Sequence, residues 1–266
     1  MKIRHTLLGL ALTASLVLPA FGASPYGISG QDLWERAQAR MVGDTTYVSL
    51  RAAARLLAPE AQVVWEDGEA RVLGAGVTLA ARPGDRWLTV NDRALYLPDG
   101  VRLEDGVTTV PIRALAAALG GQVDWDRETG VTLIPGDGRP DPAPYTEEEL
   151  YWMSRIISAE SQGEPLLGKL AVGTVVLNRV ASDEFPDTIH DVIFDRKYAV
   201  QFAPVANGTV YNRPTEESVL AAKLVLEGAR AAGDSLYFLA PELTDNHWTM
   251  ENRTYVTTIG CHWFYE

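Results

Sequence analysis

The chain is 266 residues long, 47% apolar and 22% charged, which rules out a largely disordered protein and leaves room for about two domains. Its formal net charge of -12 argues against nucleic acid, and against simple electrostatic docking to an anionic lipid surface or anionic wall polymer. The single cysteine, Cys261, excludes an intrachain disulfide and is expected to be a small buried hydrophobe.

The first residues read as a secretory signal over 1–22. Lys2 and Arg4 form a basic start, Leu7 to Leu18 an apolar run, and Ala20-Phe21-Gly22 a small-x-small cleavage site. The run is short for a membrane span, so the expectation is an exported protein acting outside the inner membrane, with no membrane contact once the signal is cleaved and an uncleaved anchor as the alternative.

Residues 24–44 form a lead-in with a helix near Gln31–Arg40, and an internal repeat follows. Thr45-Thr46-Tyr47-Val48-Ser49-Leu50-Arg51 leads into an Ala/Leu-rich helix, then Gln62-Val63-Val64-Trp65-Glu66 and Ala70-Arg71-Val72-Leu73. Thr108-Thr109-Val110-Pro111-Ile112-Arg113 leads into a second helix, then Gln122-Val123-Asp124-Trp125-Asp126 and Gly130-Val131-Thr132-Leu133. Each copy reads strand, helix, strand, turn, strand. Between them, Trp87 to Leu97 reads as a hairpin turning near Asn91. The matched positions of Trp65 and Trp125 predict packing rather than sugar-stacking platforms.

With the segments VNDRALYL, TVPIRALAAALG and VDWDRETGVTLI, this region (24–135) resembles the copper amine oxidase N-terminal-like domain. The resemblance implies a small α+β accessory domain for surface or wall attachment. The region from Ser24 to Pro135 contains no histidine, so no copper site is expected. Residues 136–145 are a Pro/Gly-rich linker, semi-stiff and unable to sustain helix or sheet.

The remaining residues, 146–266, are predicted to be mostly helical with a small sheet near the end. Thr146 and Glu149 form a capping box, and Met153, Ile156, Ile157 and Glu160 then share one helical face. Gly163 and Pro165 stop the helix. A carboxyl group on that apolar face is costly to ionise, so its pKa should rise, as a general acid near neutral pH requires. Gly168–Val180 is apolar nearly all round and should be the buried central helix, with Asn178 and Arg179 at its polar end. Thr188 and Asp191 read as a capping pair, 198–208 as a loop, and Thr215–Gly228 as a helix. Ser235–Leu239 and Tyr255–Phe264 read as strands.

The ordered blocks IISAESQGEP, GKLAVGTVVLNRV, FPDTIHDVIF, QFAPVANG and IGCHWFY resemble the catalytic domain of the spore cortex-lytic, cell-wall hydrolase family. The resemblance implies an α+β chain in which a lysozyme-like, mostly helical domain follows the small repeat domain. It implies lytic transglycosylase action on peptidoglycan, at the cell wall or in spore cortex during germination. The family's catalytic glutamate falls on Glu160. Many relatives carry Ala-Arg where this chain has Ser161-Gln162, which bears on substrate preference. Peptidoglycan is then the expected partner, no cofactor or metal is called for, and no residue identifies a protein that would restrain the activity.

The remaining candidates are read from the residues themselves. Gln201 and Phe202 would line the cleft, the amide meeting acetamido groups and the ring covering a pyranose. Asn178 would bond Glu160 or a loop. Glu164 is either a second carboxylate of the site or a cap on backbone N–H groups near Leu166 and Leu167. Tyr237, Trp248 and His262 would form the far wall, though Tyr237, with Trp263, is also read as packing the sheet and His262 as a satisfied core histidine. Two other functional classes stay open. A metal-dependent wall amidase or peptidase would draw on His190, His247 and His262, though none stands at a tight metal-ligand spacing. A non-catalytic wall-binding protein is compatible with the repeats and with Gln162.

Overall fold

The computed structural model describes residues 28–74, 76–126, 130–197, 200–244 and 248–266. The signal sequence expected over 1–22, and His247, lie outside the described residues.

The N-terminal half runs β1 (Ile28–Ser29), α1 (Gly30–Arg36), β2 (Arg40–Val42), β3 (Thr45–Ser49), α2 (Leu50–Leu57), β4 (Gln62–Glu66), β5 (Glu69–Gly74), β6 (Val77–Ala81), β7 (Trp87–Val90), β8 (Arg93–Tyr96), β9 (Arg102–Glu104), β10 (Val107–Pro111), α3 (Ile112–Ala118), β11 (Gln122–Asp126) and β12 (Gly130–Ile134). These strands form three antiparallel sheets, in orders β1-β12-β11, β2-β3-β10-β9 and β4-β5-β6-β7-β8. Both expected copies are present, each with its helix beginning directly where its first strand ends. Ser49 caps α2 by accepting the Ala52 N–H at 3.3 Å, and Pro111 stands at the corresponding start of α3. Leu50, Leu79, Leu115 and Leu133 sit in one buried cluster between helices and sheets. Strands β2 and β9 were not legible in the sequence, being three residues long, and β6 was missed because Ala80 and Ala81 hide the alternation its burial shows.

The expectation that Trp65 and Trp125 pack is corrected. Their side chains are 50% and 59% exposed. Strands β4 and β11 are sheet edges, and the buried contacts of each ladder come from the neighbouring strand, through Val72 and Leu133.

The C-terminal half runs α4 (Glu147–Ser161), α5 (Leu166–Val180), α6 (Ile189–Phe194), α7 (Ala203–Asn207), α8 (Glu216–Leu226), β13 (Tyr237–Leu239), α9 (Trp248–Asn252), β14 (Tyr255–Ile259) and β15 (His262–Tyr265). The capping box at Thr146 and Glu149 forms as expected, and Thr188 accepts the Asp191 N–H ahead of α6. Helices α4, α5 and α8 pack closely at Gly173, where an added Cβ would lie 2.9 Å from Ile157 Cδ1 and 3.1 Å from Val225 Cγ2. Larger residues would push these helices apart. The sheet has the order β13-β15-β14.

Two local expectations change. The segment read as a single strand from Tyr255 to Phe264 is a hairpin, broken at Gly260, whose φ of +60° a non-glycine residue rarely adopts. Cys261 sits at that tip and is exposed rather than buried, because the turn holds it outside the sheet. The segment expected as a loop over 198–208 contains α7, which Phe202 opens and Gly208 closes.

The two halves meet where the β7–β8 hairpin packs on α8. Ala94 joins the C-terminal cluster, with Trp87 and Tyr96 against it.

Candidate active site

The face of α4 that faces inward carries Met153, Ile156 and Ile157, all fully buried. Their burial fixes the rotation of the helix, and Glu160 follows on the same face in its last turn. Helix α5 is buried through Val172, Val175 and Val176, and the same stripe continues to Arg179, only 4% exposed. Glu160 and Arg179 thus meet at one cavity of about 670 Å³, with Gln201, Phe202, Phe238 and His262 around it. A second cavity of about 780 Å³ shares Arg179, Gln201 and Phe238 with the first and is walled by Phe185, Tyr237 and Trp248. Together they make one adjoining, aromatic-sided cleft, with the half-buried carboxyl of Glu160 in its first part.

Burial raises the Glu160 carboxyl to about 7, and the positive charge of Arg179 only partly offsets this. Burial lowers Arg179 to about 10, against the pull of Tyr237, Asp195 and Glu160. The guanidinium is tightly held. Its Nε donates to the Leu236 carbonyl at 2.8 Å, and its carbon lies 4.9 Å from the Phe185 ring centre and 5.0 Å from that of Phe202. Its Nη1 is buried without a hydrogen-bond partner. His262 is also buried at the cavity wall, its ring edge-on to Phe238 at 5.3 Å, and burial lowers its pKa against the pull of Glu164.

Of the residues expected at the site, Glu160, Gln201, Phe202 and His262 are brought together around the first cavity, and Tyr237 and Trp248 line the second. Phe202 is only 1% exposed, so it supports Arg179 rather than offering a face to a sugar. Tyr237 pairs β13 with β15 and accepts from Arg253 Nη2 at 2.7 Å, which holds its ring in the wall. Two expected residues line neither cavity. The Asn178 amide donates at 3.0 Å to both the Gly233 and Ser235 carbonyls, so it secures that loop and not Glu160. Glu164 accepts the Cys261 N–H at 3.1 and 3.3 Å, so it caps the distant hairpin and not the N–H groups near Leu166.

Arg179 and Phe238 were missed. Arg179 carried the signal that singled out Glu160, a charged residue continuing an apolar helical stripe, but was read as the polar end of its helix. Phe238 sits between two other large side chains in a three-residue strand, where alternation is too short to assign a face.

His190 packs against Phe194 at 4.7 Å and meets Asp191 at 2.9 Å, while His262 belongs to the cleft. Among the described residues no three His, Cys, Asp or Glu side chains gather where a metal ion could be held.

Residues 163–265 match the Cell Wall Hydrolase family, beginning three residues after Glu160, and 28–134 match the Copper amine oxidase N-terminal domain. The spore cortex-lytic enzyme of Bacillus cereus is 35% identical over 123 residues, 46% of this chain and 46% of that protein. The cell wall hydrolase CwlJ of Oceanobacillus iheyensis is 31% identical over 104 residues, 37% of this chain and 72% of its own length. The solved catalytic domain of the germination-specific lytic transglycosylase SleB from Bacillus anthracis shares 33% identity, covering 47% of this chain and 100% of that one, at a TM-score of 0.43. The chain spans about half the length of the spore cortex-lytic enzymes it matches.

Proposed function

This chain belongs to the cell wall hydrolase family, and from that premise we propose that it cleaves the glycan strand of peptidoglycan as a lytic transglycosylase, with Glu160 as the proton donor. The observation that carries this reading is a carboxyl raised to about 7 by burial, at a cavity of about 670 Å³ that adjoins a second of about 780 Å³. Such a group keeps its proton near neutral pH and can release it to a substrate.

Protonated Glu160 gives its proton to the oxygen joining C1 of N-acetylmuramic acid to the next N-acetylglucosamine. The C1–O bond breaks, the leaving sugar departs as an alcohol, and positive charge develops at C1. Glu160, now a carboxylate, takes the proton of the muramic C6 hydroxyl while that oxygen bonds to C1. The products are a 1,6-anhydromuramic end and a free N-acetylglucosamine end, with Glu160 protonated again and no water consumed. One carboxyl suffices for both halves. Among the described residues lining the first cavity, Glu160 is the only acid; Glu184 and Asp195 line the second. Arg179 faces the same space and offsets the charge of Glu160 in the base half.

The relatives' names support spore cortex as the substrate and germination as the setting. The signal sequence read over 1–22 supports export to the wall or cortex. Residues 24–135 would then be an accessory domain and 136–145 a linker to the catalytic domain over 146–266.

Product analysis tests this. Purified protein is incubated with cortex peptidoglycan and the muropeptides are separated. Anhydromuramic ends are expected, and should be absent with Glu160→Gln. Reducing muramic ends would mean hydrolysis, and free stem peptides would mean an amidase.

A further inference from the structure

The N-terminal half is two copies related by a local two-fold axis. Strands β3 and β10 pair antiparallel with Val48 opposite Val110, Ser49 opposite Thr109 and Tyr47 opposite Pro111. In the repeat, Val48 corresponds to Val110, Ser49 to Pro111 and Tyr47 to Thr109. Equivalent residues therefore exchange partners about the Val48–Val110 pair, and any feature built by one copy against the other is built twice.

A groove is built twice. In one, Arg51, Val63 and Trp65 of the first copy face Val107 and Thr108 of the second, enclosing about 350 Å³. In the other, Arg113, Val123 and Trp125 of the second copy face Thr45 and Thr46 of the first, enclosing about 280 Å³. Much of the lining corresponds between the copies: Arg51 with Arg113, Val63 with Val123, Trp65 with Trp125, Val107 with Thr45 and Thr108 with Thr46. Each groove has an indole that is half or more exposed, on an edge strand, with an exposed arginine beside it. Neither tryptophan belongs to the buried cluster, so folding gives little reason for a large exposed indole at both places.

We propose that the two grooves are saccharide-binding sites, each seating a pyranose of one glycan class, a β-linked amino-sugar strand, against Trp65 or Trp125. The flat apolar face of an indole suits the C–H face of a sugar ring, and its edge stays wet. Volumes of about 350 and 280 Å³ stand at the small end of ligand pockets, the scale of a single sugar ring. The chain's net charge of -12 disfavours an anionic polymer held by the overall field. Each groove carries one arginine, Arg51 or Arg113, and the second also carries Asp44, so an isolated carboxylate such as a muramic lactyl group suits the first groove better. The choice of amino sugars among glycans rests on the function proposed above; the two grooves do not.

Retention on a polymer is read separately from cleavage by using the full chain with Glu160→Gln, which leaves the wall intact. The probe is purified peptidoglycan sacculi, with and without their stem peptides, in a co-sedimentation titration. Trp65→Ala and Trp125→Ala should each weaken apparent affinity about ten-fold, and the pair about a hundred-fold, since two sites on one body act together. Trp65→Tyr with Trp125→Tyr keeps an aromatic face and should stay within about three-fold of the parent; it also guards against a fold-breaking effect of alanine. Unchanged retention of the double alanine chain overturns the proposal. So does loss of binding when the peptides are stripped, or a tyrosine pair as weak as the alanine pair. If the chain with Glu160 intact gives no anhydro products while the Glu160→Gln chain is still retained, the cleavage reading alone is overturned.

Discussion

Glu160 and Arg179 reach one cavity from the last turns of successive helices, and burial disfavours the charged form of each. The two charges favour one another, but burial dominates both shifts. Cleavage should therefore be fastest below pH 7 and fall as pH rises through about 7, where Glu160 loses its proton. Glu160→Gln should lower kcat by roughly a thousand-fold or more, the scale of a lost general acid. Arg179→Gln removes the charge that pulls Glu160 down, so its alkaline limb should move to higher pH while kcat falls. A pH–rate profile on soluble glycan fragments checks this; an unmoved limb would mean that Arg179 does not act on Glu160.

The same shift makes the fold sensitive to pH. Unfolded, Glu160 titrates near its ordinary 4.5; folded, near 7. Between those values the folded chain holds a proton that the unfolded chain has released, so stability falls as pH rises through this window. Below 4.5 both states are protonated and the group contributes nothing. Glu160→Gln should therefore match the parent's stability at pH 4 and exceed it at pH 8, by roughly 2 kcal/mol after allowance for partial solvent contact. Thermal melts at the two pH values test it.

What was legible in the sequence was local. The capping box at Thr146, the stripe ending in Glu160 and the buried α5 all follow from residues three or four apart. The site's other half depends on partners that no local pattern reveals. Glu164 finds its acceptor role 97 residues away, and Asn178 bonds carbonyls 55 and 57 residues on. The matched tryptophans were misjudged because a repeated position can reflect a repeated contact or a repeated ligand site. The edge position of β4 and β11, which leaves both indoles exposed, is a property of the assembled sheets and not of the repeat.

Glu164 and Gly260 are coupled by close approach. Glu164 accepts the Cys261 N–H, and a Cβ on Gly260 would fall 1.6 Å from Glu164 Oε2. Glu164→Ala should cost about 1–2 kcal/mol, the scale of an amide left without its charged acceptor. Gly260→Ala should cost more, since it adds the clash to the strain of a positive φ. The double variant should be less destabilised than the sum of the singles, because removing the carboxylate removes the obstruction. Denaturant titration of the four chains measures the coupling; strict additivity would show that the carboxylate and the turn are independent.

Arg93 and Glu227 join the two halves through paired bonds of 2.6 and 2.7 Å, with side-chain exposures of 12% and 3%. Arg93 also donates to the Asp141 carbonyl at 2.7 Å, fastening the segment between the halves to the same point. Arg93→Ala would strand the Glu227 carboxylate in a nearly dry site, at a cost of about 3–5 kcal/mol. Replacing both, as Arg93→Leu with Glu227→Leu, should recover much of that loss, because an apolar pair carries no desolvation cost. If the contact ties the halves together, Arg93→Ala should also split a single melting transition into two, followed by calorimetry. A chain that melts as the parent does would show that the hairpin packing of Trp87, Ala94 and Tyr96 holds the halves without the ion pair.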